Sequence, residues 1–422
     1  KFKYLETNHQ DFPSIPIVTV HLKHQQHIRK LTNMINEKKG ILNSTNVLII
    51  DDEADSASLN AKANTEDYNE SAVYGAIKDL RKSLNCHSYV QYTATPQAIL
   101  LISRSDLMSP DWVRFISPGK NYIGTKDIFN ESFVPIKIPS EDILGDKFED
   151  LELPKSLFKS IYSFLLVAAQ QNKDKSKNKI WPKNISLMIH PTRITKAQDK
   201  WGDLIQQHLE DWRYEISYNL NNWKKNHRNE FKEAYLNLKA STEYLNQKIN
   251  SFEELFDLIP EIVNIVSLSV LNKRANNRLK KEVNWKHDKY NILIGGDLLD
   301  RGYVVKGLVT TYMPRKGSFN ADTLQQRGRF YGYKKEFFGF IRTWMSEKTT
   351  KLFKAYLKSE SILYEDLKEW SYKNPNKPIQ EWKRRMVLEP SLQPCRDSIV
   401  GIDLYNNPSR GGWLWPKKPL PI

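Results

Sequence analysis

Cysteine is nearly absent from this chain: two residues, Cys86 and Cys395, in 422. That excludes a disulfide framework and a four-cysteine zinc site, and makes a reducing, cytoplasmic setting the natural expectation. No apolar run approaches the roughly 20 residues of a membrane-spanning helix, and no basic, apolar, small-residue leader is read at the start, so no membrane partner is expected. A glycine-rich loop ending in Gly-Lys-Thr or Gly-Lys-Ser is also missing. The nearest candidate, Pro118-Gly119-Lys120-Asn121, lacks both the flanking glycine and the hydroxyl that Mg²⁺ requires. His24 and His27 stand three apart without a third ligand nearby in sequence. Charge, by contrast, is plentiful: 64 Lys and Arg against 49 Asp and Glu give a net +15. Such a balance suits a polyanionic partner, because neutralising phosphates releases counterions. Lysine and asparagine are spread along the whole chain, so the charge by itself marks no site.

The most informative segment is Val47-Leu48-Ile49-Ile50-Asp51-Asp52-Glu53-Ala54-Asp55. Four apolar residues suit a buried parallel strand, and in an open α/β sheet ligands sit beyond the carboxyl ends of the strands. An acid there can hold Mg²⁺ through its waters, and the next can orient an attacking water. Asp52 is read as the metal partner and Glu53 as the water-orienting residue. The bland alternative is a strand followed by a solvated acidic turn.

Alternation of strands and helices argues for a parallel α/β layer. Ile17–Val20 reads as a short strand and residues 21–37 as a helix with Ile28, Leu31 and Ile35 on one stripe. Residues 70–84 read as a second helix, with Val73, Ile77, Leu80 and Leu84 inward, and Tyr89–Tyr92 as a strand ending in Thr93-Ala94-Thr95. Hydroxyls at Thr93 and Thr95 can bond the acids of the first segment. Residues 104–179 read as an excursion, an apolar helix (157–170) and a charged linker. A second α/β layer is expected over 180–345: Ile185–Ile189, then strand-like runs at 262–270, 292–294 and 308–311. A helical insertion lies near 195–260. Within it Trp201, Ile205, Leu209, Trp212, Ile216, Leu220 and Trp223 form a stripe more consistent with core than with a nucleic-acid platform. From 346 the chain reads as helical with an extended tail.

Two further stretches carry chemistry. Gly295-Gly296-Asp297-Leu298-Leu299-Asp300-Arg301-Gly302 ends a strand in glycines that let backbone approach a ligand. Asp322 to Arg329, through Gln325-Gln326-Arg327-Gly328-Arg329, supplies guanidinium groups whose planar fork suits phosphate.

Together these segments resemble the motor core of superfamily-two helicases and translocases. The Asp-Glu-Ala-Asp tetrad and Thr-Ala-Thr are similar to that superfamily's second and third motifs. Residues 296–302 and 325–329 are similar to its fifth and sixth. A closer resemblance is to the Z-one domain family, a helicase-like group that carries an endonuclease label. It is carried by Ile50-Asp51-Asp52-Glu53-Ala54-Asp55, Tyr92-Thr93-Ala94-Thr95-Pro96, Ile189-His190-Pro191-Thr192-Arg193 and Gly328-Arg329-Phe330-Tyr331-Gly332-Tyr333.

The resemblance implies two RecA-like parallel-sheet domains with helical insertions, the first (residues 1–103) truncated at its start. It implies ATP and Mg²⁺ as cofactors, with Asp52, Glu53 and Arg329 catalytic. Thr93, Thr95, Gly296, Asp297, Arg301 and Gln325 would bind or sense the nucleotide. Coupling to DNA is implied, with RNA as an alternative polymer and a nuclease or other partner subunit in a restriction-like or anti-phage system. Full activity would then need phosphate-loop residues upstream of Lys1. Gly332 stands where the sixth motif usually carries a second arginine. Two other classes remain open from sequence: an endonuclease subunit, and a scaffold that binds nucleotide or DNA without turnover.

Overall fold

The computed structural model describes residues 18–37, 45–62, 70–103, 105–130, 135–144, 151–174, 181–272, 282–296, 299, 303–314 and 332–382. It also describes short strands at 386–387, 405–407 and 412–414. The chain divides into a first unit, residues 1–110 with 396–404, and a second, residues 111–395 with 405–422.

In the first unit the elements are α1 (Gln25–Glu37), β1 (Val47–Asp52), α2 (Ala54–Ala57), α3 (Ala72–Lys82), β2 (His87–Tyr92) and α4 (Gln97–Leu101). The strands pair in parallel, with Val47 opposite His87 and Asp52 opposite Tyr92. α1 and α3 pack together through Ile28, Ile35, Tyr74, Ile77 and Leu80. Period-two alternation places Asp51 on the covered side of β1, while Leu48 and Ile50 on the other side are each 61% exposed. The strand expected at 17–20 is not present over residues 18–20, which are irregular, with Val18 and Val20 exposed. Strand propensity is realised through a ladder partner, and no described strand pairs with this run.

The second unit runs β3 (Tyr122–Ile123), α5 (Thr125–Asn130), β4 (Pro135–Lys137), α6 (Lys155–Asp174), β5 (Ile185–Ile189), α7 (Thr195–Tyr244), α8 (Phe252–Phe256) and α9 (Ile259–Ile265). It continues with β6 (Ser267–Leu271), β7 (Tyr290–Gly295), β8 (Leu308–Met313), β9 (Gly332–Tyr333), β10 (Arg342–Met345) and α10 (Glu347–Lys373), then β11 (Met386–Val387), β12 (Tyr405–Asn407) and β13 (Gly412–Leu414). Six strands form an all-parallel sheet in the order β4-β10-β8-β5-β7-β6. β3 and β9 form an antiparallel pair, and β11-β13-β12 a small antiparallel sheet. The expectation of an α/β fold holds at this level.

Both faces of the parallel sheet are covered, which is why its strands read as continuous apolar runs. Leu187, Ile189, Ile292 and Ile294 face a core built with α6, α7, α8 and α9. Met188, Leu293, Met313 and Met345 face the other side, packed with α5 and α10 through Phe129, Leu352, Phe353 and Tyr356. From β5 the chain passes outward to β6 and back to β7, then crosses to β8 and β10 on the far side. The order therefore reverses beside β5, and a crevice at the carboxyl edge is expected there.

Several elements differ from the sequence reading. β4, read as part of an excursion, is an edge strand of the sheet, and α6, read as an apolar helix over 157–170, is a longer helix in the cover of that sheet. The residues 164–169 of α6 are all buried, so this helix is apolar because it is enclosed. The run 262–270 is half helix, since α9 continues to Ile265 before β6 begins, with Pro260 in the first turn of α9. α7 is interrupted at Asn219 (φ −152°, ψ 83°). Trp212 on one arm meets Trp223 and His227 on the other edge-on. The stripe is core as expected, except for Leu220 beside the break, which is exposed.

Candidate functional site

The parallel register ends β1 and β2 at the same level, so the acidic turn lies beside the threonines that follow β2. Glu53 links β1 to α2 in the left-handed region (φ 50°, ψ 48°), a conformation uncommon for a residue with a side chain. Two bonds hold the turn locally: Glu53 N donates to Asp52 Oδ1 at 3.0 Å, and Ser56 N to the Glu53 carbonyl at 3.0 Å.

Lys23 anchors the turn from a segment far away in sequence. Its Nζ donates to Asp51 Oδ1 at 2.9 Å, to the Asp52 carbonyl at 2.6 Å, to the Glu53 carbonyl at 2.8 Å and to Ser58 Oγ at 3.1 Å. The buried Asp51 also accepts from Tyr89 OH. Burial, and then the Asp51 charge, push the Tyr89 phenol well above its usual range. Arg81 stacks on the Tyr89 ring at 4.7 Å and donates to His87 Nε2 at 3.2 Å. Burial and the arginine charge together lower the His87 pKa.

Asp55 is 2% exposed. Thr93 Oγ1 donates to its Oδ1 and Thr95 Oγ1 to its Oδ2, both at 2.7 Å, while Thr95 N donates to Thr93 Oγ1 at 2.9 Å. Both carboxylate oxygens are therefore held by hydroxyls from the neighbouring strand end, and a shift of either strand end is felt by the other. Asp52 differs from Asp55 in being exposed. Among the described residues no three His, Cys, Asp or Glu side chains come together as a metal cluster. The donor set at Asp52 is thus one exposed carboxylate. That fits Mg²⁺ held with retained waters and substrate phosphates rather than in an all-protein cage.

At the carboxyl edge of the second unit's sheet, β5 leads through His190-Pro191-Thr192 into α7. His190 is fully buried. Gln198, on the first turn of α7, donates through Nε2 to the Thr192 carbonyl at 2.9 Å. A Cβ added to Gly296 would lie 2.5 Å from that nitrogen. The close approach that the glycine permits is therefore made by Gln198. The sequence reading missed both Lys23 and Gln198, since neither lies in a motif. Asp297, Arg301, Gln325 and Arg329, with Phe330 and Tyr331, lie outside the described residues.

The Z1 domain family model matches residues 156–385, more than half of the chain. The chain belongs to the Z1 domain family. The Z1 match starts at the beginning of α6 and runs past α10, so it covers the six-stranded sheet from β5 onward. The acidic strand and its threonines lie before the Z1 match, and their assignment rests on their own chemistry. Comparison with curated proteins and with solved structures gave no match for this Z1 chain. No helix among the described residues is long and apolar enough to cross a membrane.

Proposed function

We propose that this Z1 protein is a Mg²⁺-dependent ATP hydrolase of helicase-like type, with two RecA-like domains, whose turnover is coupled to DNA in a restriction-like or anti-phage system. The observation that carries the proposal is the Asp55–Thr93–Thr95 tie. A carboxylate buried by two hydroxyls from the next strand couples the acidic turn to its neighbour, as a nucleotide-responsive site requires. On this reading Asp52 holds the ion through water, and Glu53 orients the water that attacks the terminal phosphate. Bound Mg²⁺ supplies neutralisation of phosphate charge. Thr93 and Thr95 are positioning residues: they fix Asp55, and through α2 the direction of Glu53. Lys23 balances the Asp51 charge and fixes the backbone of the turn through the Asp52 and Glu53 carbonyls. Arg329 is assigned stabilisation of charge on the transferred phosphate, with Asp297, Arg301 and Gln325 beside the nucleotide.

The test uses the full-length protein. Glu53→Gln is expected to retain ATP binding and lose most hydrolysis, because the water-orienting carboxylate is gone. Arg329→Ala is expected to lower turnover by a factor on the order of 10³ while DNA binding survives. Wild-type hydrolysis in Glu53→Gln, or ATP-independent, metal-dependent DNA cleavage untouched by both substitutions, overturns the proposal.

A further inference from the structure

Several described cations on the helices are matched with carboxylates. Lys159 pairs with Glu233, Lys224 with Asp257, Lys239 with Glu243, Lys351 with Glu347 and Lys373 with Glu369. The amino-terminal edge of the six-stranded sheet is built differently. Lys183 precedes β5, Lys286 precedes β7 and Lys306 precedes β8, and parallel strands bring their starts to one edge. All three lysines are exposed, and none forms an ion pair with a described carboxylate.

Their positions are set by neutral contacts around one aromatic ring. Lys183 Nζ donates to the Lys286 carbonyl at 2.8 Å, and Lys306 Nζ lies 5.9 Å from the centre of the half-buried Trp285 ring. Asn184 Nδ2 donates to the carbonyls of Trp285 and Asp288 at 3.2 and 2.7 Å, and Ser186 Oγ to the Lys306 carbonyl at 2.7 Å. Gly307 adopts φ 64°, and a Cβ there would come within 1.7 Å of the Asn184 carbonyl oxygen. The loop carrying Lys306 is therefore pressed against the strand start that carries Lys183. Of the nearby acids, Asp288 accepts from Asn284 N at 3.3 Å and Glu282 is exposed.

The Lys183 amine faces a carbonyl, the Lys306 amine faces a ring, and the exposed Lys286 is in no ion pair with a described carboxylate, so an arriving anion need break no such pair at these lysines. β8, β5 and β7 are neighbours about 4.8 Å apart, so the three amines fall within reach of adjacent phosphates on one backbone. We propose that this edge, around Trp285, is a phosphodiester-binding surface formed by Lys183, Lys286 and Lys306, at the opposite end of the sheet from Gly296. The proposal rests on the reading that this protein works on nucleic acid, and adds where the second unit grips the backbone.

The test is fluorescence anisotropy of labelled single- and double-stranded oligonucleotides, without nucleotide, over a salt series. Lys183→Gln, Lys286→Gln and Lys306→Gln combined are expected to weaken duplex binding about tenfold or more near physiological salt. They are also expected to make the slope of log affinity against log salt shallower by about 2 to 3. The corresponding triple Lys→Arg variant keeps the wild-type slope. A control with the same charge change, Lys239→Gln, Lys351→Gln and Lys373→Gln, keeps it too. Circular dichroism checks that each variant is folded.

Wild-type binding and slope in the edge variant, or an equal change in the control, overturns the surface. So does a wild-type protein that binds anionic phospholipid vesicles through these lysines but no oligonucleotide. ATP hydrolysis measured on the same preparations separates this proposal from the function it rests on. An edge variant that binds normally while Glu53→Gln abolishes DNA-stimulated hydrolysis removes only the surface. Lysine-dependent binding without any hydrolysis removes only the motor.

Discussion

Ile50 and Ile294 are both isoleucines in parallel strands, yet Ile50 is 61% exposed and Ile294 is fully buried. The second unit's sheet is covered on both faces, so its strands are stabilised by apolar area removed from water. The first unit's strand pair is covered on one side only, and its strand ends are held by polar ties: Lys23 to Asp51, and Thr93 and Thr95 to Asp55. The difference teaches where each unit is vulnerable. One fails by losing volume, the other by losing a charge partner.

Two probes keep the units apart. All 11 tryptophans lie in the second unit, so tryptophan fluorescence reports its unfolding. Amide hydrogen exchange at β1 and β2 reports the first. The largest effect is expected from Ile294→Ala, a loss of about 2–5 kcal/mol in denaturant unfolding followed by fluorescence. A loss under about 1 kcal/mol would mean that the sheet is less tightly covered than its burial implies.

Lys23→Met comes next. It leaves the buried Asp51 with Tyr89 alone and frees two carbonyls of the turn, at a cost of about 1.5–3 kcal/mol in the exchange protection of β1. Fluorescence unfolding of the second unit should not change, and a matching shift there would break the comparison.

Acid exposes a third contrast. His208 and His227 sit among Phe158, Trp212 and Trp223, and burial lowers the pKa of both rings. Their unfolded forms take up protons first, so the stability they permit is complete above the ordinary histidine pKa and falls as pH drops through it. Fluorescence-detected Tm should therefore decline between pH 7.5 and 5.5, less steeply in His208→Phe. An equal decline in that variant would place the acid sensitivity elsewhere. The smallest effect belongs to Ile50→Ala, within about 0.5 kcal/mol, since most of that side chain already meets solvent. A loss near that of Ile294→Ala would show that the outer face of β1 is covered in the working protein.

Much of the architecture was legible along the chain. β1, β2, β5, β7 and β8 all fall on apolar runs read as strands. α3 and the Trp201–Trp223 stripe follow helical spacing, because periodicity is local. The bonds of Thr93 and Thr95 to an acid of the first segment were legible too, and the acid is Asp55. The strand expected at 17–20 was overcalled over 18–20. A Val-Thr-Val run has the propensity of a strand whether or not a neighbour pairs with it.

By itself the sequence determined that this is an α/β protein with an acidic strand end followed by threonines, and that its aromatic stripe is core. Tertiary structure alone decided the strand order and the reversal beside β5. It also decided the fold-back of α7 at Asn219, the grip of Lys23 on a turn 28 residues away, and the meeting of Lys183 with Lys286 across 103 residues. The division has a physical cause. Side-chain periodicity is written by the geometry of one element, whereas a charge partner or a crevice exists only after chain closure brings distant segments together, and no local pattern records which segments those are.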